Sequence, residues 1–192
     1  SDLAVIGVYF FGPEIHAITP DLRPSARGEL EITDAIQGLI DAGCEVRSAV
    51  IDDDWIDTGK KDDVLEANRL VLMGIVRNLA GEIDAASTIV GEVVVDAGAV
   101  IHGSTVRGPA IIGAGARLVD AYVGPFTAIG PGCALTGCEI EHSVVMENSV
   151  IRGIENRICD SLIGREVVVE GSPLKPHAIR LMLGDHSVVG IG

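Results

Sequence analysis

The chain has 192 residues, enough for one large domain or two small ones, and it combines 47% hydrophobic residues with only 3% aromatic ones. Its core must therefore be built from Val, Ile, Leu and Ala. The formal net charge of −14 excludes a general binder of nucleic acid or anionic membranes, and no apolar run approaches the roughly 20 residues of a membrane span.

The chain begins without Met and with an apolar run, so we expect a sequence that is entered in its middle. No secretory segment precedes the four cysteines, at positions 44, 133, 138 and 159, and their spacing lacks the paired ligands typical of a zinc site. We therefore expect thiols in a reducing cytoplasm.

The first predicted elements are a strand and a helix. The run LAVIGVYFF at 3–11 predicts a buried strand, and PEIHAI predicts a short helix with Pro13 in its first turn. In the stretch RGELEITDAIQGLIDAGCEV, an apolar stripe at helical spacing predicts a second helix, with Thr33 as its N-cap and Gly43 as its C-cap. The stripe consists of Ile36, Leu39 and Ile40.

A second strand and a third helix follow. The segment EVRSAVID at 45–52 predicts a strand, and DDWIDTGKKDDVLEANRLVL predicts a turn at Gly59 and then a helix that buries Val64, Ala67 and Val71. Alternating strands and helices over residues 1–72 are typical of an open α/β sheet, although these strands are too few to complete one.

The second half of the chain has a six-residue period. Sixteen of the 24 glycines fall in residues 85–192, where branched aliphatic residues recur at intervals of six with two changes of phase. The predicted inward residues are Val94, Val100, Val106, Ile112 and Leu118, then Val123, Ile129 and Leu135, then Val144, Val150, Leu162 and Val168, with Asn156 in the skipped position.

Such a period is neither helical nor that of a plain strand, and it predicts a parallel β-helix. Each six-residue unit forms a short strand and a turn, three units form a triangular coil of about 18 residues, and coils stack at about 4.8 Å. Residues 85–170 then give about five coils, with small residues at the corners.

Three functions come into consideration for such a prism. A hexapeptide acyltransferase would use His102 or His142, although no motif surrounds either residue. A γ-class carbonic anhydrase is excluded, because the five histidines lack the close pair that its zinc site needs. The third possibility is a prism that assembles subunits or regulates a catalytic domain preceding it.

The motifs AVIGVYFF, RGELEITDAI and WIDTGKKDDVLEANRLVL occur in the order seen in the sugar-1-phosphate nucleotidylyltransferase family. Together with the hexapeptide repeats and the closing RLMLGDHSVVGI, the chain resembles the C-terminal portion of the long-form glucose-1-phosphate thymidylyltransferases of that family. The resemblance implies an α/β fragment, the C-terminal part of a Rossmann-like nucleotidyltransferase domain, followed by a left-handed parallel β-helix.

The resemblance also implies a reaction and a metal. In this family the phosphate of a sugar 1-phosphate attacks the α-phosphorus of a nucleoside triphosphate, and pyrophosphate leaves. Glucose 1-phosphate and dTTP would give dTDP-glucose. Mg²⁺ neutralises the converging charges and holds the reactants in line.

The site residues follow by position in the matching motifs. Asp57 in WIDTG matches the aspartate that binds Mg²⁺. Trp55 matches an aromatic residue at the sugar pocket, Val5 and Gly7 match the segment whose backbone faces the sugar, and Glu29 matches a residue near the sugar. The alternative for Asp57 is an ordinary charge at a helix N-terminus, for Trp55 it is plain packing, and for Val5 and Gly7 it is a buried strand.

The family's Gly-rich nucleotide loop and phosphate-binding lysine do not occur in the sequence. We therefore expect an inactive fragment with three sections: part of the nucleotidyltransferase domain at 1–72, a linker at 73–84 and the β-helix at 85–192, which we expect to form a homo-oligomer. A stand-alone oligomerisation or regulatory module and a hexapeptide acyltransferase remain alternatives.

Overall fold

The computed structural model describes residues 5–52, 55–171 and 187–190. The chain divides into two units, residues 1–55 and residues 56–192. Its helices are α1 (Ile15–Ile18), a 3₁₀ turn (Thr19–Asp21), α2 (Ile32–Asp41) and α3 (Lys61–Met73). Most of the closing RLMLGDHSVVGI motif lies outside the described residues.

The strands are short and follow one another along the second unit. In chain order they are β1 (Asn78–Leu79), β2 (Glu82–Ile83), β3 (Thr88–Val90), β4 (Val93–Val95), β5 (Val100–His102), β6 (Thr105–Arg107), β7 (Ala110–Ile112), β8 (Arg117–Val119), β9 (Tyr122–Val123), β10 (Thr127–Ile129), β11 (Ala134–Thr136), β12 (Glu139–Glu141), β13 (Val144–Val145), β14 (Val150–Arg152), β15 (Ile158–Cys159), β16 (Leu162–Ile163) and β17 (Val168–Glu170).

Helix α2 organises the first unit. It ends in a Schellman motif, because the N–H of Cys44 donates to the carbonyl of Leu39 and the N–H of Gly43, at φ +77°, donates to the carbonyl of Ile40. The predicted role of Gly43 at this end is therefore confirmed. The predicted N-cap was wrong: Glu31 precedes the first helical residue, and Thr33 already lies within the helix.

The buried face of α2 differs from the predicted stripe. Ala35 and Leu39 are buried, whereas Ile40 is 48% exposed. Helix α1 packs close to α2 at Gly38, where an added Cβ would lie only 2.5 Å from a methyl carbon of Ile18. A small residue at this position is thus needed for the approach of the two helices.

The two strands predicted for the first unit are absent from its described residues. Residues 5–11 and 45–52 are irregular, and Val8, Phe10 and Val50 are exposed. A strand requires a neighbouring strand for its backbone hydrogen bonds. An apolar run favours the extended conformation but does not provide that neighbour. No described strand lies beside these two segments to satisfy that requirement.

The second unit confirms the predicted parallel β-helix of about five coils. Its strands form three parallel sheets, which we call faces A, B and C. Face A contains β1, β4, β7, β10, β13 and β16; face B contains β2, β5, β8, β11, β14 and β17; face C contains β3, β6, β9, β12 and β15. Paired residues in adjacent coils are 16 to 18 positions apart, as in Asn78 with Val94 and Val144 with Leu162.

The inward register is as predicted in the middle of the prism and shifted by one residue near both ends. Val106, Ile112, Leu118, Val123, Ile129 and Leu135 are all buried as predicted. At Val94, Val100, Val144 and Val150 the following residue is the buried one: Val95, Ile101, Val145 and Ile151. In the same way Ile163 and Val169 pack on the core in place of Leu162 and Val168. Near the skipped position, Ile158 packs on the core two residues after Asn156.

A second buried column accounts for this register. Two positions before most of the large inward residues stands a smaller one that is also buried, such as Ala99 before Ile101 and Ser143 before Val145; Val93 before Val95 is an exception. Where two branched residues are adjacent, the six-residue period does not show which of them points into the prism. A small residue two positions earlier marks the inward one.

Helix α3 packs on one edge of the prism. We call this the α3 edge: the turns from face C to face A, at residues 91–92, 108–109, 124–126, 142–143 and 160–161. The buried side chains of α3 are Leu65 and Leu72, while Val71, predicted to be buried, is 66% exposed. The amide of Asn68, on the face of Leu65 and Leu72, donates to the carbonyl of Phe126 at 3.0 Å, which places that face against the prism.

Candidate functional site

Asp57 lies in the short segment before α3. Its carboxylate is exposed and makes no hydrogen bond to the residues that the structure describes. A Cβ added at Gly59 would lie 3.5 Å from Asp57 Oδ1, so the carboxylate stays beside the turn that precedes the helix. The segment thus presents an available oxygen ligand.

The four predicted sugar-site residues lie in the first unit. Val5 and Trp55 are 68% and 51% exposed, and Gly7 has a φ of +77° that favours glycine. Glu29 is exposed and follows Gly28, which has a φ of +79°. No hydrogen bond or ring contact joins any two of these four described residues, so their roles stay predictions.

A polar cluster that sequence reasoning missed holds the turn before Glu29. The guanidinium of Arg27 donates to Glu31 Oε1 at 2.7 Å, and the Ser25 hydroxyl donates to the same oxygen at 2.9 Å. The hydrogen bonds from Arg27 and then Ser25 hold the pKa of the Glu31 carboxyl below its ordinary value. Arg27 and Glu31 lie in the turn before α2, so the helical i, i+4 rule does not predict their contact from the sequence.

The donor set fits Mg²⁺ only in part. Within the part of the chain that the structure describes, no three His, Cys, Asp or Glu side chains converge on one point. Mg²⁺ is commonly bound by one or two carboxylates together with water and substrate phosphates. Asp57 therefore fits as one carboxylate ligand of an ion whose other ligands come from elsewhere.

A groove of about 410 Å³ opens on the β-helix, and none of the predicted site residues lines it. Tyr122 and Glu139 are among its lining residues, and Arg157 lies beside it with its guanidinium carbon 4.9 Å from the centre of the Tyr122 ring. Arg157 also pairs with Glu139 at 2.8 Å and Glu141 at 3.2 Å. These contacts join adjacent coils.

The two histidines considered for acyl transfer both pair with an aspartate of an adjacent coil. His102 Nδ1 lies 2.6 Å from Asp84 Oδ2, and His142 Nδ1 lies 2.6 Å from Asp160 Oδ1. Asp160 has a pKa below its ordinary value, chiefly because of its hydrogen bond with His142. Such pairs stabilise the stacking of coils, as do Arg152 and Glu170.

No helix within residues 5–52, 55–171 or 187–190 has the length and apolar character needed to cross a bilayer.

Comparison with known proteins relates both units to one family. Residues 1–73 match the family model described as nucleotidyl transferase. The chain is 50% identical over 191 residues to glucose-1-phosphate thymidylyltransferase of Streptomyces antibioticus, which covers 100% of this chain and 53% of the relative. These similarities confirm the resemblance derived from the motifs.

Two further relatives extend the comparison. Glucose-1-phosphate thymidylyltransferase of Streptomyces griseus is 51% identical over 187 residues, covering 97% of this chain and 52% of the relative. The low-salt glycan biosynthesis nucleotidyltransferase Agl11 of Haloferax volcanii is 47% identical over 190 residues, covering 97% of this chain and 53% of the relative. The chain thus spans about half the length of the curated relatives that it matches.

Proposed function

We propose that this chain, whose residues 1–73 belong to the nucleotidyl transferase family, is part of a glucose-1-phosphate thymidylyltransferase. The whole enzyme transfers a nucleotidyl group from dTTP to glucose 1-phosphate and releases dTDP-glucose and pyrophosphate. The observation that carries the proposal is the 50% identity over 191 residues to a relative of that name.

In this proposal the chain contributes to the sugar and metal sites. The Asp57 carboxylate holds one position on Mg²⁺, which when bound neutralises phosphate charge. The Trp55 ring packs against the sugar, the backbone at Val5 and Gly7 faces its hydroxyls, and Glu29 accepts a hydrogen bond from it. Positioning and electrostatics of this kind supply most of the rate in phosphoryl-type displacements.

The proposal assigns a role to each section of the chain. Residues 1–72 belong to the nucleotidyltransferase domain, 73–84 connect it to the β-helix, and 85–192 form the β-helix. The connection already contains β1 and β2, which pair with β4 and β5. We further propose a cytoplasmic enzyme that associates with copies of itself through the β-helix.

A chimera tests the proposal. These 192 residues replace the matching segment of the Streptomyces antibioticus relative, and pyrophosphate release and dTDP-glucose are measured with dTTP, glucose 1-phosphate and Mg²⁺. We expect turnover by the chimera and none by the 192-residue chain alone. Turnover by the isolated chain would contradict the fragment proposal. A start codon at residue 1 would support the alternative of a stand-alone oligomerisation or regulatory module.

The metal role of Asp57 has its own test in the chimera. Asp57→Asn is expected to lower kcat/KM about a hundredfold or more, because a metal ion contributes several kcal/mol of charge stabilisation. Asp52→Asn is the matched control, since Asp52 is likewise an exposed carboxylate and lies five residues before Asp57. Equal losses in the two variants would rule out a specific role for Asp57.

A further inference from the structure

Helix α3 is attached to the α3 edge by polar contacts at its start and in its middle. Near its start, Lys61 Nζ donates to the backbone carbonyl of Asp160 at 2.8 Å. In its middle, Asn68 Nδ2 donates to the backbone carbonyl of Phe126 at 3.0 Å. Both acceptors belong to turns of the α3 edge, two coils apart.

A third attachment follows the end of the helix. The Arg77 guanidinium donates to the carbonyl of Gly91 at 2.7 Å, and the Arg77 backbone N–H donates to Glu92 Oε2 at 2.7 Å. Gly91 and Glu92 form the first turn of the α3 edge. The segment from Lys61 to Arg77 is therefore bonded to the first, third and fifth turns of this edge.

The spacing of these attachments matches the geometry of the two elements. Lys61 and Asn68 are seven residues apart, which is about 10.5 Å along an α-helix. Two coils of a β-helix rise about 9.6 Å at the spacing of adjacent strands. The helix thus runs along the direction in which the coils stack. Each polar contact joins one residue of the helix segment to one particular coil.

The turns that bear the first two attachments are themselves connected. The His142 ring lies edge-on to the Phe126 ring with 6.3 Å between the ring centres, and its Nδ1 atom is 2.6 Å from Asp160 Oδ1. Beneath the helix, Leu65 and Leu72 are buried. The edge therefore offers α3 a continuous, cross-linked support rather than two independent loops.

We infer that α3 acts as a strap, that is, a helix whose attachment to the α3 edge fixes the segment that carries Asp57. Lys61 and Asn68 are then positioning residues for the metal site. The metal role of Asp57 rests on the proposed function; the attachment of α3 does not. Asp57 lies four residues before Lys61, so the segment that carries it starts from the anchored end of the helix. Lys61 and Asn68 act only through this backbone and touch no substrate.

Hydrogen–deuterium exchange on the 192-residue chain tests the strap. Asn68→Asp removes the amide donor and brings a carboxylate against the Phe126 carbonyl. We expect amide exchange in residues 56–73 to become about tenfold faster, with exchange in the β-helix strands unchanged. The matched control is Gln37→Glu, which removes a side-chain amide that donates to Asp41 at 2.8 Å within α2. Unchanged exchange in residues 56–73 of Asn68→Asp would overturn the strap.

Kinetics of the chimera with the Streptomyces antibioticus relative test the positioning. Asn68→Asp and Lys61→Ala are expected to raise the Mg²⁺ concentration for half-maximal rate several-fold and to leave the KM for glucose 1-phosphate unchanged. If the variants show faster amide exchange in residues 56–73 but the same Mg²⁺ dependence of the rate, then α3 is attached as inferred but does not position the metal site. A chimera that is inactive without any substitution would instead count against the proposed function, and the exchange result would be unaffected.

Discussion

The hydroxyl of Ser104 links two coils of the β-helix at a point where the backbone ladder turns a corner. Its Oγ donates to the carbonyl of His102 at 2.8 Å and accepts the N–H of Ala121 at 3.0 Å. Ser143 makes the same pair of contacts, with the carbonyl of Glu141 and the N–H of Ser161. Small buried residues at the corners are therefore hydrogen-bonding partners as well as packing elements.

The substitution Ser104→Ala leaves the buried N–H of Ala121 without its acceptor. We expect the free energy of unfolding to fall by about 1–3 kcal/mol, measured by urea denaturation of the 192-residue chain. Ser161→Ala is the control, because the Ser161 hydroxyl donates to the Cys159 carbonyl at an exposed site. A smaller loss for Ser104→Ala than for Ser161→Ala would contradict the linking role.

The four thiols are predicted to differ in reactivity. Cys159 is exposed and Cys44 half-buried, whereas Cys133 and Cys138 are buried. Burial raises the pKa of Cys138 to about 11, so only about one thiol in a thousand is ionised at pH 8. Iodoacetamide followed by mass spectrometry should modify Cys159 and Cys44 first, and Cys138 only on unfolding. Early labelling of Cys138 in the folded chain would show that its coil is open.

Asp84 gives the β-helix a dependence on acid pH. The Ser87 hydroxyl first, then the Gly103 N–H and the charge of His102, lower the pKa of this carboxyl. A carboxyl with a lower pKa in the folded than in the unfolded chain stabilises the fold above the unfolded pKa, and this contribution disappears as the pH falls through the folded pKa.

The substitution Asp84→Asn should therefore lower the free energy of unfolding at neutral pH. The difference in this free energy from the unsubstituted chain should shrink below about pH 4. Urea denaturation at several pH values measures this difference. Asp96→Asn is the control, because the Asp96 carboxylate makes no hydrogen bond with the described residues. If the difference in the free energy of unfolding between Asp84→Asn and the unsubstituted chain grew on acidification, the lowered pKa assigned to Asp84 would be contradicted.

Among the elements, the six-residue repeat of the β-helix was predictable from the sequence. Its inward register was predictable only in the middle of the prism. The six-residue period alone predicted the β-helix, because no other regular structure repeats in that way. Between Val94 and Val95, or Val144 and Val145, the period cannot decide which side chain points inward. For Val145, the small buried residue two positions earlier, Ser143, distinguishes the inward side chain, whereas Val95 is preceded by another valine, Val93. Coil lengths of 16 to 18 residues cause the changes of phase.

Two adjacent isoleucines test the inward register directly. Ile112 is fully buried in the prism, while Ile111 points outward from the same strand and is half-buried. Ile112→Ala is expected to lower the free energy of unfolding by about 2–5 kcal/mol, and Ile111→Ala by much less, since only the first leaves a core cavity. Chemical denaturation of both variants provides the comparison, and equal losses would contradict the register.

The helices were located correctly, and the strands of the first unit were not found. Helical spacing is a local property, so α2 and α3 appear where the pattern placed them, although Val71 lies on the exposed face of α3. The apolar runs at 5–11 and 45–52 need pairing partners that no described strand provides. Their exposed side chains include Phe10, which is 96% exposed.

For the whole molecule, the sequence predicted the family, whereas the roles of its site residues stay predictions. The motif WIDTG identified Asp57 by resemblance, and the structure adds that its carboxylate is exposed ahead of an anchored helix. The residues at 5, 7, 29 and 55 belong to a different unit from Asp57. Which residues of a chain meet in a site is decided by tertiary contacts, and neither periodicity nor motif order specifies those contacts. The attachment of α3 was likewise unpredictable, because it pairs side chains with backbone carbonyls far away in sequence.

Mg²⁺-dependent dTDP-glucose formation by the chimera with the Streptomyces antibioticus relative tests most directly whether these 192 residues are part of a sugar-nucleotide-forming enzyme. We expect a kcat within about tenfold of that relative, a difference of about 1.4 kcal/mol in barrier, if the proposed function holds. A chimera whose β-helix unfolds as cooperatively as that of the isolated chain, yet which forms no dTDP-glucose, would contradict it.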